Sequence, residues 1–581
     1  MEAWTDGRRA TGDGRRATGD GRRATGDGRR ATGERSVLLA ARSAVALYRL
    51  LDTLLAFSGD ERFTRFFTLV PGSDFDVDTL SVIDAVKGRV LPWEEACRRT
   101  YDLVLAASPK GELDRLRGTR VLLPHGAGFN KSIPGEGRAD SASGLDPRYL
   151  APDEDGTPIT LHALAHPDQV ARLAAVDPEA AERARVIGDP TLERVHASLS
   201  LRDRYRAALG TGPRTLLVLA STWGPDSLLH RRPGLPAEIA AHLPYDEYQL
   251  ALIVHPNERS RLGEYELTER LAPALDAGMV LTGPYEDWAS ALIAADALIT
   301  DHGSAALYYA AAGDRPVVRV HRGGGELIPG SPMDTLLGGI PELGEARDVR
   351  EALAAYRPGP GRAAARAAFD RCGEALDLLR TEVYGLLDLA PPRFGAPPRL
   401  LPSPAGAARV PAAFDVHAEV SGTAIRIDRR PAGLGMPGHH LAVEHGAARE
   451  QLARAAGLLY RRVLPPVAVP PDAAWTASGW TRQALSEYPG CRTAAAVLSA
   501  ELCVLALRGE ARARAVLVGP RSEDGRVVRA DPAAALSAVH AWLSGRPGGP
   551  EDEVRLTCRI GDRAFPVLVR PATDEETGRL L

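Results

Sequence analysis

The sequence predicts an α/β protein: two tandem Rossmann-like units, then a Pro-rich linker and a smaller α+β domain. Three observations carry this. Short, continuous apolar runs alternate with amphipathic stretches from Ser36 to about Arg380, the pattern of parallel strands buried on both faces. The alternation restarts near Arg214, so it describes two units of similar size. Beyond Arg380 proline and glycine interrupt it, and strand-like and helical stretches then follow in mixed order.

Residues 1–35 hold "GRRATGD" three times and then "GRRATGE". No residue larger than alanine in the repeat is apolar, so the tract cannot bury a core and is expected to be disordered. The first unit, 36–205, opens with the strand "SVLLAA" and the helix "SAVALYRLLDTLLAF", whose apolar residues fall at three- and four-residue steps. "RFFTLV", "RVLPW", "DLVLAAS" and "RVLLPHG" follow as apolar runs, with a helix over "VDTLSVIDAVKG". "HALAHP" and "RVIGDP" add two strands, and the charged helix "SLRDRYRAALG" joins the units. The second unit, 206–385, has strands "TLLVLAST", "QLALIVHP", "MVLTG", "ALITDHG" and "PVVRV". Between them lie helices such as "PAEIAAHL", "DWASALIAA" and "SAALYYAAAG". Residues 386–412 read as an extended linker, and 413–581 as an α+β domain of unassigned role. In that domain "TAIRID", "RAVLVG", "VRLTCRI" and "FPVLVR" are strands, while "AREQLARAAGLLYRRV" and "AAALSAVHAWLSG" are helices.

A net charge of −4 leaves no polybasic footprint, which disfavours nucleic acid as a partner. The five cysteines form no C-x-x-C pair, which argues against a zinc knuckle or disulfide framework and for a reducing, cytoplasmic setting. The most apolar early segment is broken by Arg42, Arg49 and Asp52 and falls short of a membrane span.

Chemistry gathers where apolar runs stop. His125 and Gly126 follow "RVLLP", with Lys131, one of only three lysines, close behind. Ser221, Thr222 and Trp223 end "TLLVLA"; His255 ends "QLALIV"; Asp301, His302, Gly303 and Ser304 follow "ALIT". Ligands of such sheets collect at the carboxyl ends of strands, so four such ends in tandem units predict a shared cleft. Ser304 opens a helix, where unpartnered N–H groups and the positive dipole end favour a phosphate. Asp301 is expected to fix the loop, not to do chemistry.

"ALIAADALITDHGSAALYYAAAGDRPVV" resembles the C-terminal half of CDP-glycerol glycerophosphotransferases, the teichoic-acid polymerase family. "LASTW", "LIVHPN", "VIGDPTLERV" and "HGAGFNK" resemble further family motifs in the right order, over roughly Val121 to Val320. The resemblance implies the two-unit GT-B architecture and a metal-independent transferase. It would move a polyol-phosphate or sugar unit from a nucleotide-diphosphate donor, CDP- or UDP-type, to an acceptor hydroxyl. His125 would be the general base. Lys131, Thr222, Trp223, His255, Asp301, His302, Gly303 and Ser304 would serve the donor or substrate. It also implies possible peripheral association with the inner membrane surface. The chain departs from the family at Gly224, where an arginine is usual, and at His302, Gly303 and Tyr308. Arg231 and Arg232 lie near the missing arginine. The alternative reading is therefore a catalytically inactive GT-B-like nucleotide-binding or scaffold protein.

Other motifs carry less. "GAGFNKS" lacks the Gly-Lys-Ser/Thr of a P-loop; similar chains are sometimes named translation initiation factor 2, but no residue here supports GTP-driven initiation. "DFD" at Asp74–Asp76 precedes a helix and suits capping. His439, His440, Glu444 and His445 match no zinc spacing, so no metal is expected. The Gly-rich "HRGGGELIPG" follows a strand of the second unit and could flank the donor.

Overall fold

A computed structural model of the chain describes residues 34–72, 83–84, 87–124, 126–133, 142–150, 152, 156–393, 395–406, 408–463, 473–546 and 552–581. The repeat tract up to residue 33, the Asp74–Asp76 stretch, most of the helix expected after it, and His125 lie outside the described residues.

The first sheet has seven parallel strands: β1 (Arg35–Ala41), β2 (Phe63–Leu69), β3 (Val90–Leu91), β4 (Thr100–Ala106), β5 (Arg117–Leu122), β6 (Leu161–Leu164) and β7 (Ala184–Val186). Their spatial order is β3-β2-β1-β4-β5-β6-β7. The continuous apolar runs have a simple cause. Val37, Leu39, Leu103 and Leu105 enter one core, while Leu38, Ala40, Val104 and Ala106 enter another on the opposite face.

The second sheet repeats the plan with β8 (Thr215–Ser221), β9 (Tyr248–Val254), β10 (Val280–Leu281), β11 (Ala297–Thr300) and β12 (Val317–Arg319), in the order β10-β9-β8-β11-β12. Leu216, Val218 and Ala220 pack on one face, and Leu217 and Leu219 on the other. In both sheets the strand order reverses beside the first strand, between β1 and β4 and between β8 and β11. That crevice is where open α/β sheets bind ligands.

Two segments differ from expectation. The helix Ala375–Leu386, counted with the second unit from its place in the sequence, packs into the first: Leu379, Val383 and Tyr384 lie in the core beneath β1 and β4. Tyr384 also donates to Asp60 at 2.8 Å. Proximity in sequence is outweighed here by burial of an apolar face. The Pro-rich segment after it is a strap that runs over the linking helices onto the second unit, where Ala405 N–H donates to Asp287 Oδ2 at 2.6 Å. Leu401 is buried, its N–H donates to Ser198 Oγ at 2.9 Å, and its carbonyl accepts from Tyr205 at 2.8 Å.

The C-terminal domain contains a closed barrel, which the strand patterns alone do not predict. Its nine strands run, in spatial order, Ala413–Ser421, Ala424–Pro431, Val554–Ile560, Arg563–Pro571, Arg514–Val518, Leu502–Leu507, Thr493–Val497, Leu458–Arg462 and His440–Glu444, the last pairing with the first. The helix Pro532–Ser544 is buried almost all round, and Leu536, Val539 and Trp542 share a core with Val416, Ile427 and Val516. The helix expected over "AREQLARAAGLLYRRV" stops at Ala455, and Leu458–Arg462 is a strand. Parallel pairing on both sides, with Ala442–Glu444 and with Thr493–Val497, overrides its helical pattern. Arg429 fastens the barrel to the second unit, donating to Asp246 at 2.8 and 2.6 Å and to Asp531 at 2.9 Å. Among the described residues no helix is long and apolar enough to cross a membrane.

Candidate active site

The two sheets face each other across a cleft of about 780 Å³. Its lining comes from both: Gly126 and Lys131 from the loop after β5, Thr222 after β8, His255 after β9, Ser304 after β11, and Glu326 after β12. The strand ends singled out in the sequence thus meet in one space.

Asp301 builds the second unit's side. It is fully buried at the end of β11. Oδ2 accepts from the N–H groups of Thr222 and Leu228, both at 2.8 Å, and Oδ1 accepts from Gly303 N–H at 2.9 Å. The carboxylate therefore holds the turn after β8 against the turn after β11 and is a loop anchor; its oxygens are already committed. Gly303 fits because a Cβ there would lie 3.2 Å from Asp301 Oδ1 and 3.3 Å from Thr222 Cβ. Ser304 then starts the helix Ala305–Ala312 without a side-chain cap. The N–H groups of Ala306 and Leu307 turn back to the carbonyls of Gly303 and Ser304, at 3.2 and 3.0 Å, while Ser304 and Ala305, at the positive end of the helix dipole, line the cleft.

His302 is also fully buried and lines the cleft. Neither ring nitrogen makes a hydrogen bond among the described residues; Nε2 stands 3.6 Å from Glu326 Oε1. Glu326 Oε2 is 3.6 Å from Lys131 Nζ. His302, followed by the Lys131 charge, holds the Glu326 carboxyl below its ordinary value against the opposing effect of burial. The ring of His321 lies near that of His302, 5.7 Å between centres and tilted by 54°. Its Nδ1 accepts from Gly323 N–H at 2.9 Å, so the proton is on Nε2, which donates to the Asp226 carbonyl at 2.8 Å. Burial lowers the pKa of His321, keeping it neutral.

The loop after β5 is stitched to the loop after β12. Ser132 N–H donates to Glu326 O at 2.8 Å, Ile328 N–H to Asn130 O at 2.9 Å, and Met333 N–H to Asn130 Oδ1 at 3.1 Å. Lys131 Nζ reaches Thr222 Oγ1 at 3.2 Å. A Cβ built on Gly126, the neighbour of His125, would lie 3.5 Å from Ser304 Oγ. The edge of the first unit therefore touches the helix mouth of the second.

His255 caps the helix that follows it, its Nδ1 accepting from Asn257 N–H at 3.1 Å, and its ring lies 6.4 Å from that of Trp223. Trp223 stays half exposed at the rim. Arg231 and Arg232 do not replace the missing cation. Arg231 pairs with Asp226 at 2.6 Å, Arg232 donates to the carbonyls of Leu343 and Gly344, and neither lines the cleft.

The cleft floor holds charges that motif reading missed. Asp189 takes both arms of Arg49 at 2.7 Å, accepts from Tyr308 Oη at 2.9 Å, and caps the helix Pro190–Ala197. Burial pushes Asp189 up, but Arg49 outweighs it and leaves the carboxyl below its usual value. Asp52 accepts from Thr191 Oγ1 at 2.6 Å and from Arg194 at 3.1 Å. Arg49 and Asp52 had shown themselves as charges interrupting an apolar helix, Asp189 and Arg194 only as parts of "VIGDPTLERV", and Tyr308 only as a departure from the family. Glu326 lay within the Gly-rich stretch noted after the last strand.

Two doubly wound units facing across a cleft lined by their strand ends form the arrangement called GT-B. No protein-family model matches the chain, and no curated protein matches it. Among solved structures, the chain is similar to the wall teichoic acid polymerase TagF, at 12% identity over 61% of this chain and 89% of that one, with a TM-score of 0.43. It is also similar to S. aureus MnaA with UDP, at 11% identity over 61% and 98%, TM-score 0.39. Anabaena HepE in complex with UDP and glucose matches at 13% identity over 61% and 98%, TM-score 0.35. The structural neighbours thus include the polymerase whose family the sequence resembles. These likenesses concern the path of the chain and carry no residue role.

Proposed function

We propose that the cleft transfers a polyol-phosphate or sugar unit from a nucleotide-diphosphate donor to an acceptor hydroxyl, without a metal ion. The observation that carries the proposal is the meeting of the two loops, with Gly126 against Ser304 and Lys131 against Thr222. The acceptor oxygen forms the new bond to the donor's phosphorus or anomeric carbon. The bond to the departing nucleotide breaks, and the hydroxyl proton passes to His125, whose imidazole suits a base near neutral pH. The helix mouth at Ser304 and the Lys131 ammonium stabilise the charge that collects on the leaving phosphate. Trp223, beside His255, offers a ring face to the nucleotide, and His302 borders the phosphates. Gly303 lets the backbone approach closely, and Asp301 keeps the loops in register.

One observation favours the alternative, a binding or scaffold protein without catalysis. The cations of the cleft already have carboxylate partners: Lys131 has Glu326, and Arg49 has Asp189. Thermal-shift measurements with CDP, UDP and GDP test both readings, because a ligand of the native state raises the melting temperature. A shift is expected with at least one; none at millimolar nucleotide contradicts the transferase and the nucleotide-binding readings and leaves only the scaffold. Transfer lost in His125→Ala with nucleotide binding retained supports the enzyme; equal rates remove His125 from the mechanism.

A further inference from the structure

We propose that Glu326 stands in for the donor's phosphate while the cleft is free, and that the pair Glu326–His302 takes up one proton when a diphosphate displaces Glu326 from Lys131. Naming the incoming anion as the donor rests on the transferase reading; the proton coupling rests on three side chains in line. Glu326 Oε2 is 3.6 Å from Lys131 Nζ, and Oε1 is 3.6 Å from His302 Nε2. One carboxylate thus stands between a cation of the first unit and an imidazole of the second. Both separations exceed hydrogen-bond length, so neither contact locks it. The backbone is pinned, because Ser132 N–H donates to Glu326 O at 2.8 Å. The side chain keeps 23% of its surface and lines the cleft, and a Cβ built on Gly325 before it would meet nothing within 4 Å. The carboxylate can therefore yield by turning about its own bonds.

A diphosphate on Lys131 puts a second negative charge beside the Glu326 carboxylate and takes away the cation that offset the first. In the free cleft His302, followed by Lys131, holds that carboxyl below its ordinary value; the arriving anion opposes this, and a proton relieves the repulsion. Both ring nitrogens of His302 are covered and make no hydrogen bond among the described residues, so the ring acts on the cleft through Glu326. Carboxyl and imidazole therefore titrate as one pair, which goes from one negative charge to none. Among the described residues, the other titratable groups around the pair are already committed. Lys131 carries its proton. Asp301 accepts three N–H groups, His321 is held at both ring nitrogens, and Asp226 pairs with Arg231. A site that takes up a proton with its ligand binds more tightly as pH falls and releases it as pH rises.

Isothermal titration of the full chain with CDP, UDP, GDP and inorganic pyrophosphate, from about pH 6 to about pH 8.5, tests this. Glu326→Gln lacks both the competing charge and the titrating carboxyl. Its advantage in affinity over wild type should therefore widen as pH rises, approaching about tenfold per pH unit for one linked proton. The ratio taken at each pH cancels the ionisation of the ligand and of His125. At about pH 8 the wild-type binding enthalpy should vary with the ionisation enthalpy of the buffer in the sense of proton uptake, and that of Glu326→Gln should vary less. His302→Gln keeps the carboxylate but removes the imidazole, so its affinity should run parallel in pH to that of Glu326→Gln. Should His302→Gln fail to fold, the wild-type and Glu326→Gln series decide alone. A ratio constant across the range, or a wild-type enthalpy indifferent to the buffer, would overturn the proposal. Nucleotide binding without the coupling removes this inference and leaves the transferase reading standing. Coupled binding of pyrophosphate alone upholds the coupling and removes the nucleotide reading. Binding of none of the four overturns both.

Discussion

Lys131 Nζ, from the first unit, lies 3.2 Å from Thr222 Oγ1 of the second and 3.6 Å from Glu326 Oε2. A lysine held between a hydroxyl and a carboxylate is poised for an anion but neutralised without one. Lys131→Met should therefore weaken nucleoside diphosphate binding by about tenfold, since a charge-assisted contact is lost. Glu326→Gln should strengthen it several-fold by removing the competing charge. Calorimetric titration reads both; unchanged affinity in both variants places Lys131 outside the donor site.

Asp301 accepts three backbone N–H groups while fully buried. Asp301→Ala orphans all three and should cost about 3 kcal/mol or more. Asp301→Asn keeps one acceptor oxygen and should cost less. Urea denaturation measures both, and a cost for Asp301→Ala within the range of a surface change would contradict its role as anchor.

Arg49 and Asp189 form a buried pair that Tyr308 completes. Asp189→Ala leaves the guanidinium uncompensated and should cost about 3–5 kcal/mol. The double variant Arg49→Met, Asp189→Leu should recover part of the loss, because both charges then leave together. Equal losses in the single and double variants would show that the pair is not coupled.

The parallel strands were legible because burial on both faces writes itself as unbroken apolar runs, as in Val37–Ala41 and Leu216–Ala220. The strand ends were legible because Ser304, Asp301 and His255 follow such runs directly. The Arg49–Asp189–Tyr308 group was not, since its members lie 140 and 119 residues apart and no local pattern joins them. The helix Ala375–Leu386 crosses back to the first unit by the same kind of distant packing. The barrel was hidden because closure depends on pairing His440–Glu444 with Ala413–Ser421, and two strands alone do not reveal a ring.

Inside that barrel His440 and His540 lie 4.5 Å apart. Burial, with His540 and His439 adding to it, pushes His440 down to about 3; burial, with Arg492 adding to it, pushes His540 down to about 4. In the unfolded chain both titrate near 6.5. The unfolded state therefore binds protons first, so stability is complete above about pH 6.5 and is lost as pH falls toward about 4. The urea midpoint should drop over that window, and His440→Leu should flatten the drop. Parallel pH profiles for variant and wild type would contradict this.

The cleft between the two units, with Gly126 against Ser304, is the centre of the functional reading, and hydrogen exchange tests it most directly. With a saturating nucleoside diphosphate that shifts the melting temperature, amides of residues 303–307 and of the loop 126–132 should slow together. Slowing confined to any other part of the chain, or no slowing with CDP, UDP or GDP at millimolar concentration, would contradict it.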